Sequence, residues 1–133
     1  MAQDPQVGTS HTLTSVVTDA RIASQLAEVG ETLPRVFATP FMIADMERAC
    51  AALLAGKLGE DEVSVGVEIN VTHTAPTPAG AEITVTARFT GREGALYWFD
   101  VWGEDGGGRI GEGRIARAIL PMTKLMARAE KRR

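Results

Sequence analysis

Thr39-Pro40-Phe41-Met42-Ile43-Ala44-Asp45-Met46-Glu47-Arg48-Ala49-Cys50-Ala51-Ala52-Leu53-Leu54 is the stretch on which the reading of this chain turns. Its only proline, Pro40, stands at the expected first helical position, where proline starts a helix instead of breaking one. Thr39 ahead of it carries a hydroxyl suited to the orphan N–H groups of a first turn, so the pair predicts an N-cap followed by N1. Met42, Met46, Ala49, Cys50, Leu53 and Leu54 recur at helical spacing and form one broad apolar face, with Asp45 and Arg48 roughly opposite. Gly56 and Gly59 end the run. These features predict a buried or half-buried helix of about four turns.

Downstream the period changes. Val63, Val65, Val67, Ile69 and Val71 alternate with Ser64, Gly66, Glu68, Asn70 and Thr72, which predicts a strand with its odd residues inward. Pro76, Pro78 and Gly80 supply a turn, and Ile83, Val85, Ala87 and Phe89 alternate through a second strand. A turn at Gly91 to Gly94 leads into Ala95–Trp102, whose side chains suggest burial on both faces. Asp105-Gly106-Gly107-Gly108 signals a hairpin into a last strand, Ile110 to Leu120. Upstream, His11 to Thr18 alternates loosely as a strand, and Asp19 to Val29 reads as a short helical or irregular connector. The basic tail, Lys124 to Arg133, is expected to be helical or disordered. Short turns imply antiparallel neighbours. One helix across a curved antiparallel sheet, an α+β arrangement, buries both apolar faces.

The 133 residues suit one domain, residues 1–133, with one core. A net charge of -3 argues against a nucleic-acid partner. No apolar run approaches the roughly 20 residues of a membrane span. Met1-Ala2-Gln3-Asp4-Pro5 lacks the basic flank and apolar stretch of a signal peptide, so a cytoplasmic location is expected. A single cysteine excludes an intrachain disulfide and a cysteine-built metal site.

Some residues bear chemistry. Glu47 lies at the edge of the helix's apolar arc, where partial desolvation would suit a carboxylate to acid–base or nucleophilic work. A solvated glutamate paired with a neighbouring arginine is the plainer alternative. His73 continues the inward parity of its strand, where an imidazole would serve as a general base or rest as a core-edge side chain bonded to backbone. Thr39 suits a cap, and a helix N-terminus also attracts a carbonyl oxygen or anion. Cys50 falls inside the apolar stripe and reads as packing. Gly106–Gly108 precedes a strand, so it is no phosphate cradle. His11 and His73 do not make a metal site. Arg114 and Arg117 on the last strand are either phosphate contacts or ordinary surface charges.

Val36-Phe37-Ala38-Thr39-Pro40-Phe41-Met42, Met46-Glu47-Arg48-Ala49-Cys50 and Val71-Thr72-His73-Thr74-Ala75-Pro76-Thr77-Pro78 resemble the fluoroacetyl-CoA thioesterase family. Weaker similarity runs through Ile83-Thr84-Val85-Thr86-Ala87 and Ile110-Gly111-Glu112-Gly113 to Arg117, so the resemblance spans Val36 to Leu120. It implies the hotdog fold, a long central helix wrapped by a curved sheet, working as a homodimer. It also implies hydrolysis of an acyl-CoA substrate by Thr39, Glu47 and His73 together, with Gly66 positioning water or the thioester oxygen. Arg114 and Arg117 are then expected at coenzyme A, and no metal or redox cofactor is called for. In the dimer, Glu47 of one chain is expected to face His73 of the other. Leu33 stands where that family would have phenylalanine and Pro40 where it would have glycine. A short or medium acyl group is therefore expected rather than the fluorinated one. Two other readings stay open: a hydratase or dehydratase acting on acyl thioesters, and a non-catalytic acyl-CoA-binding module.

Overall fold

The structure, a computed structural model, describes residues 3–133; Met1 and Ala2, where the reading of the N-terminus begins, lie outside the described residues. Five strands form one antiparallel sheet: β1 (Ser10–Val16), β2 (Glu62–His73), β3 (Glu82–Glu93), β4 (Leu96–Asp105) and β5 (Gly108–Pro121). Their order is β1-β3-β4-β5-β2, so the helix and its connections carry the chain from one edge of the sheet to the other before the strands fill in between. Helix α1 (Thr39–Leu54) lies across one face, chiefly on β3, and α2 (Met122–Glu130) follows β5.

The core forms where the helical period meets the strand period. Met42, Met46, Ala49, Cys50 and Leu54 of α1 are buried against Ile83, Val85, Ala87 and Phe89 of β3 and Tyr97, Phe99 and Val101 of β4. Each large side chain of this kind contributes about 1.5–3 kcal/mol of transfer free energy. That burial holds α1 on the sheet and fixes which of its residues reach the edge.

Several expectations change. Helix α1 begins one residue early, with Ala38 as N-cap, Thr39 at the first helical position and no side-chain cap bond. Asp45 is buried and paired with Arg21 from the connector, which is built of two short 3-10 turns, Asp19–Arg21 and Ala23–Leu26. On β2 the register shifts between Gly66 and Glu68, leaving Val67 as an extra residue opposite β5. Val67 is 54% and Ile69 45% exposed, against the inward parity expected of them, because β2 is an edge strand and its alternation is interrupted at the bulge. Strand β4 buries one face only; Trp98 and Trp102 stand on the other, half-covered by Arg114, Arg88 and Arg109. Gly91 lies within β3 at a bulge, and the turn itself is the tighter Gly94–Ala95. The tail is helical as far as Glu130.

Candidate active site

Thr39 and His73 meet at the N-terminal end of α1. Residue 39 is held there by the chain reversal at Val36 and Phe37, which bridge Pro78 and Ile22. Its hydroxyl, free of capping duty, lies 2.7 Å from His73 Nδ1 at the end of β2. The His73 ring stands edge-on to buried Phe37, with centroids 6.4 Å apart. Phe37 in turn lies under the Arg21 guanidinium, which also bonds Asp45 and Ser15. Sequence reading missed this brace, because Arg21, Phe37 and Asp45 belong to three segments with no shared period.

Burial lowers the His73 pKa below its ordinary 6.5 and outweighs the opposing pull of the Ala75 backbone. The unfolded chain therefore takes up this proton first on acidification. The contribution is fully present above pH 6.5 and is lost as the pH falls from there towards the lower folded-state value. The imidazole is neutral at pH 7, as a general base requires. The same pair borders a cavity of about 330 Å³ lined by Ala23, Pro34, Val36, Phe37, Ala75 and Pro76.

Glu47 lies two helical turns further along α1, beside β2 and β5. Its Oε1 accepts a hydrogen bond of 2.8 Å from Arg117 Nη1, the two side chains being 27% and 10% exposed. Arg117 is fixed from behind by Ser64, whose hydroxyl and carbonyl accept bonds from Nε and Nη2. One edge of the guanidinium thus holds β2 while another orients the carboxylate. Gly66 sits directly beneath: a Cβ there would lie 2.7 Å from Glu47 Oε2 and 2.8 Å from Oε1. The carboxylate occupies space that any side chain at residue 66 would claim. Gly66→Ala is expected to push Glu47 aside and lower turnover at least about tenfold. Melting should fall by less than in a variant that loses the carboxylate altogether, since a side-chain end yields where backbone would not. Thiol release and a melting curve on the same sample check both halves.

One chain therefore brings Thr39 to His73 and Glu47 to Gly66, but holds the two pairs apart. Eight residues of helix separate Thr39 from Glu47, about 12 Å along the axis. Arg117 and Arg114, expected together at phosphates, lie on opposite faces of the sheet, as residues three apart on a strand must. Arg117 is buried with Glu47, and Arg114 lies 4.4 Å from the centroid of Trp98. Cys50 is buried, and burial pushes its thiol up to about 12, which leaves it a packing residue. Among the described residues no three of His, Cys, Asp or Glu cluster as metal ligands, and no helix is long and apolar enough to cross a membrane.

A sequence model of the fluoroacetyl-CoA-specific thioesterases matches residues 17–123, which include both pairs. The chain belongs to this family. Fluoroacetyl-CoA thioesterase from Streptantibioticus cattleyicolor is 41% identical over 99 residues, 74% of this chain and 71% of its own. A solved structure of a fluoroacetyl-CoA thioesterase superposes with a TM-score of 0.90 at 36% identity, covering 96% of this chain and 97% of the other. A thioesterase superfamily member from Thermus thermophilus superposes at 0.88 with 29% identity, covering 99% and 97%. The α+β hotdog architecture, expected from element order together with the resemblance, is thus shared with these thioesterases. As a member of this family the chain is a thioester hydrolase.

Proposed function

We propose that this chain hydrolyses short acyl-CoA thioesters to the free acid and coenzyme A, with Glu47, His73 and Thr39 as the reacting set. The observation that carries this reading is Glu47: a half-buried carboxylate with Oε1 bonded to Arg117 and both oxygens packed into the space that Gly66 leaves open by lacking a side chain. That arrangement leaves Oε2 available for water or for the thioester carbon. A fluoroacetyl-CoA-specific thioesterase variant, 37% identical with a TM-score of 0.85 and covering 90% of this chain and 98% of its own, has been solved with fluoroacetate and coenzyme A, which supports the substrate class.

In the proposed reaction, oxygen adds to the acyl carbon either from Glu47 itself or from a water that Glu47 deprotonates. The carbonyl oxygen gains negative charge, which the Gly66 backbone N–H would stabilise. The C–S bond then breaks and the thiolate takes a proton from the site. His73 handles that proton, and Thr39 holds the imidazole through Nδ1. Where an acyl-enzyme forms on Glu47, water returns the carboxylate. The balance is one thioester and one water to one acid and one thiol. The cavity of about 330 Å³ beside His73 suits a small acyl group, and Leu33, where the family would have phenylalanine, is the ground for doubting a specialised fluorinated one.

The separation of the two pairs makes a homodimer part of the proposal. Strand β2 is an edge of twelve residues with exposed Val67 and Ile69, a ready template for strand pairing. Antiparallel pairing with its own copy about the point between Ile69 and Asn70 sets Gly66 opposite the partner subunit's His73. Glu47 then faces that imidazole across the interface. Mixing inactive Glu47→Ala and His73→Ala subunits, with unfolding and refolding, should restore about a quarter of wild-type activity, since half the dimers are mixed and each has one intact site. No recovery, or a monomer in sedimentation at micromolar concentration, would remove the shared site.

Thiol release from a panel of short, branched, aromatic and halogenated acyl-CoAs tests the reaction. Release of free thiol is expected for the short members, with kcat/KM level at neutral pH and falling only below pH 6.5 as His73 takes its proton. A folded, dimeric protein that releases no thiol from any member would overturn hydrolysis. A double bond gained or lost would replace it with hydratase chemistry.

A further inference from the structure

We propose that α2 and its final turn bind the phosphates of the coenzyme A half of the substrate. The inference rests on the acyl-CoA reading above. Helix α2 follows directly from the strand that carries Arg117. It is tied to the sheet at its start, where the Met122 N–H donates to Asp61 O and the Thr123 hydroxyl donates to Asp61 Oδ2. Beyond that turn it stands clear: none of its residues is buried, and Met122 and Met126 are 46% and 51% exposed. So short a helix gains little from its own hydrogen bonds in water.

Its two sides differ in chemistry. Met122, Leu125, Met126 and Ala129 fall on one arc, and Lys124, Arg128, Lys131 and Arg132 on another. Among the described residues none of these four cations has an acidic side chain within ion-pair distance; the nearby Glu130 is taken by Arg133. They lend a basic end to a chain that is acidic overall. Where the arcs meet, Leu125 and Ala129 floor an open concavity rimmed by Arg128, Lys131 and Arg132. An aliphatic floor with three cations around it suits a phosphorylated nucleoside, whose base packs and whose phosphates pair. Helix α2 starts five positions after Arg117 on the same run of chain, so its cations are carried on the element that leaves the candidate active site.

The plainer account is that these cations merely complement the C-terminal end of a helix and stay solvated. Calorimetry decides between them without relying on turnover, using coenzyme A and its phosphate-free fragment pantetheine. The wild-type dimer is expected to bind coenzyme A more tightly than pantetheine, and rising salt should narrow the gap. In the triple variant Arg128→Ala, Lys131→Ala, Arg132→Ala, that preference should shrink about tenfold, the sum of three exposed ion pairs. Circular dichroism and melting show that the variant is folded. An unchanged preference overturns the proposal, as does equal weakening towards both ligands. Vesicles of phosphatidylcholine with phosphatidylserine provide the other arm. Wild-type binding to them that the variant loses, with coenzyme A affinity intact, reassigns the stripe to a membrane surface. Thiol release failing while the coenzyme A preference holds would overturn hydrolysis and leave this site standing.

Discussion

Glu47→Gln is expected to lower thiol release by about a hundredfold to ten-thousandfold and to leave the fold intact. Glutamine keeps the volume beside Gly66, and its amide oxygen can still accept from Arg117. What it loses is the ability to attack an acyl carbon or take a proton from water. Glu47→Ala is the less informative change. It strips the partner from a guanidinium whose side chain is 10% exposed, and an unpaired charge at that depth costs about 2 kcal/mol or more. Ser64 still holds the other edge, so the alanine variant should fold while melting earlier. Comparing the two separates chemistry from stability: similar activities and different melting temperatures place the activity loss in the carboxylate. A glutamine variant with more than about a tenth of wild-type activity would remove Glu47 from the reacting set, because a group that attacks or deprotonates should matter far more.

Gly113→Ala is expected to be the most destabilising single-methyl change in the sheet. A Cβ at that position would lie 2.1 Å from the Asn70 carbonyl oxygen and 2.6 Å from the Val71 Cα. Those are backbone atoms of the neighbouring strand, with no flexible end to yield. Accommodation requires β2 to move off β5, breaking ladder bonds on both sides of the Gly113–Val71 pair. Overpacking of this kind costs about 3 kcal/mol, which for a chain of this size lowers the melting temperature by about 10 °C. Activity should fall with it, since Gly66 and His73 both ride on β2. Gly106→Ala serves as the control: a Cβ there meets nothing within 4 Å, and it should melt with the wild type. If Gly113→Ala also melts with the wild type, β2 and β5 are not packed at the spacing described.

Much of the architecture was legible because it rests on local periods. The apolar stripe from Met42 to Leu54 marked α1, and the alternation from Ile83 to Phe89 marked β3, since each pattern repeats within a few residues. The candidate residues Thr39, Glu47, Gly66 and His73 stand out through the family resemblance and not through periodicity. Roles were less legible than positions. Thr39 looked like a cap, yet its hydroxyl faces His73, because with Ala38 as the N-cap that oxygen is free to turn towards β2.

By itself the sequence determined the element order, the helix face and the strand alternation. These follow from backbone geometry acting over one or two turns. Only the tertiary structure decided where the charges went. Arg117 and Glu47 are seventy residues apart and meet because β5 and β2 pair in one register while α1 crosses their end. Arg114, three residues from Arg117, was sent to the far face by the same pleat. The bulge at Val67, which interrupts the inward alternation of β2, depends on the partner strand and has no mark in local composition. A side chain's chemistry is written in its type, but its partner is set by register and packing, which no short window of sequence contains.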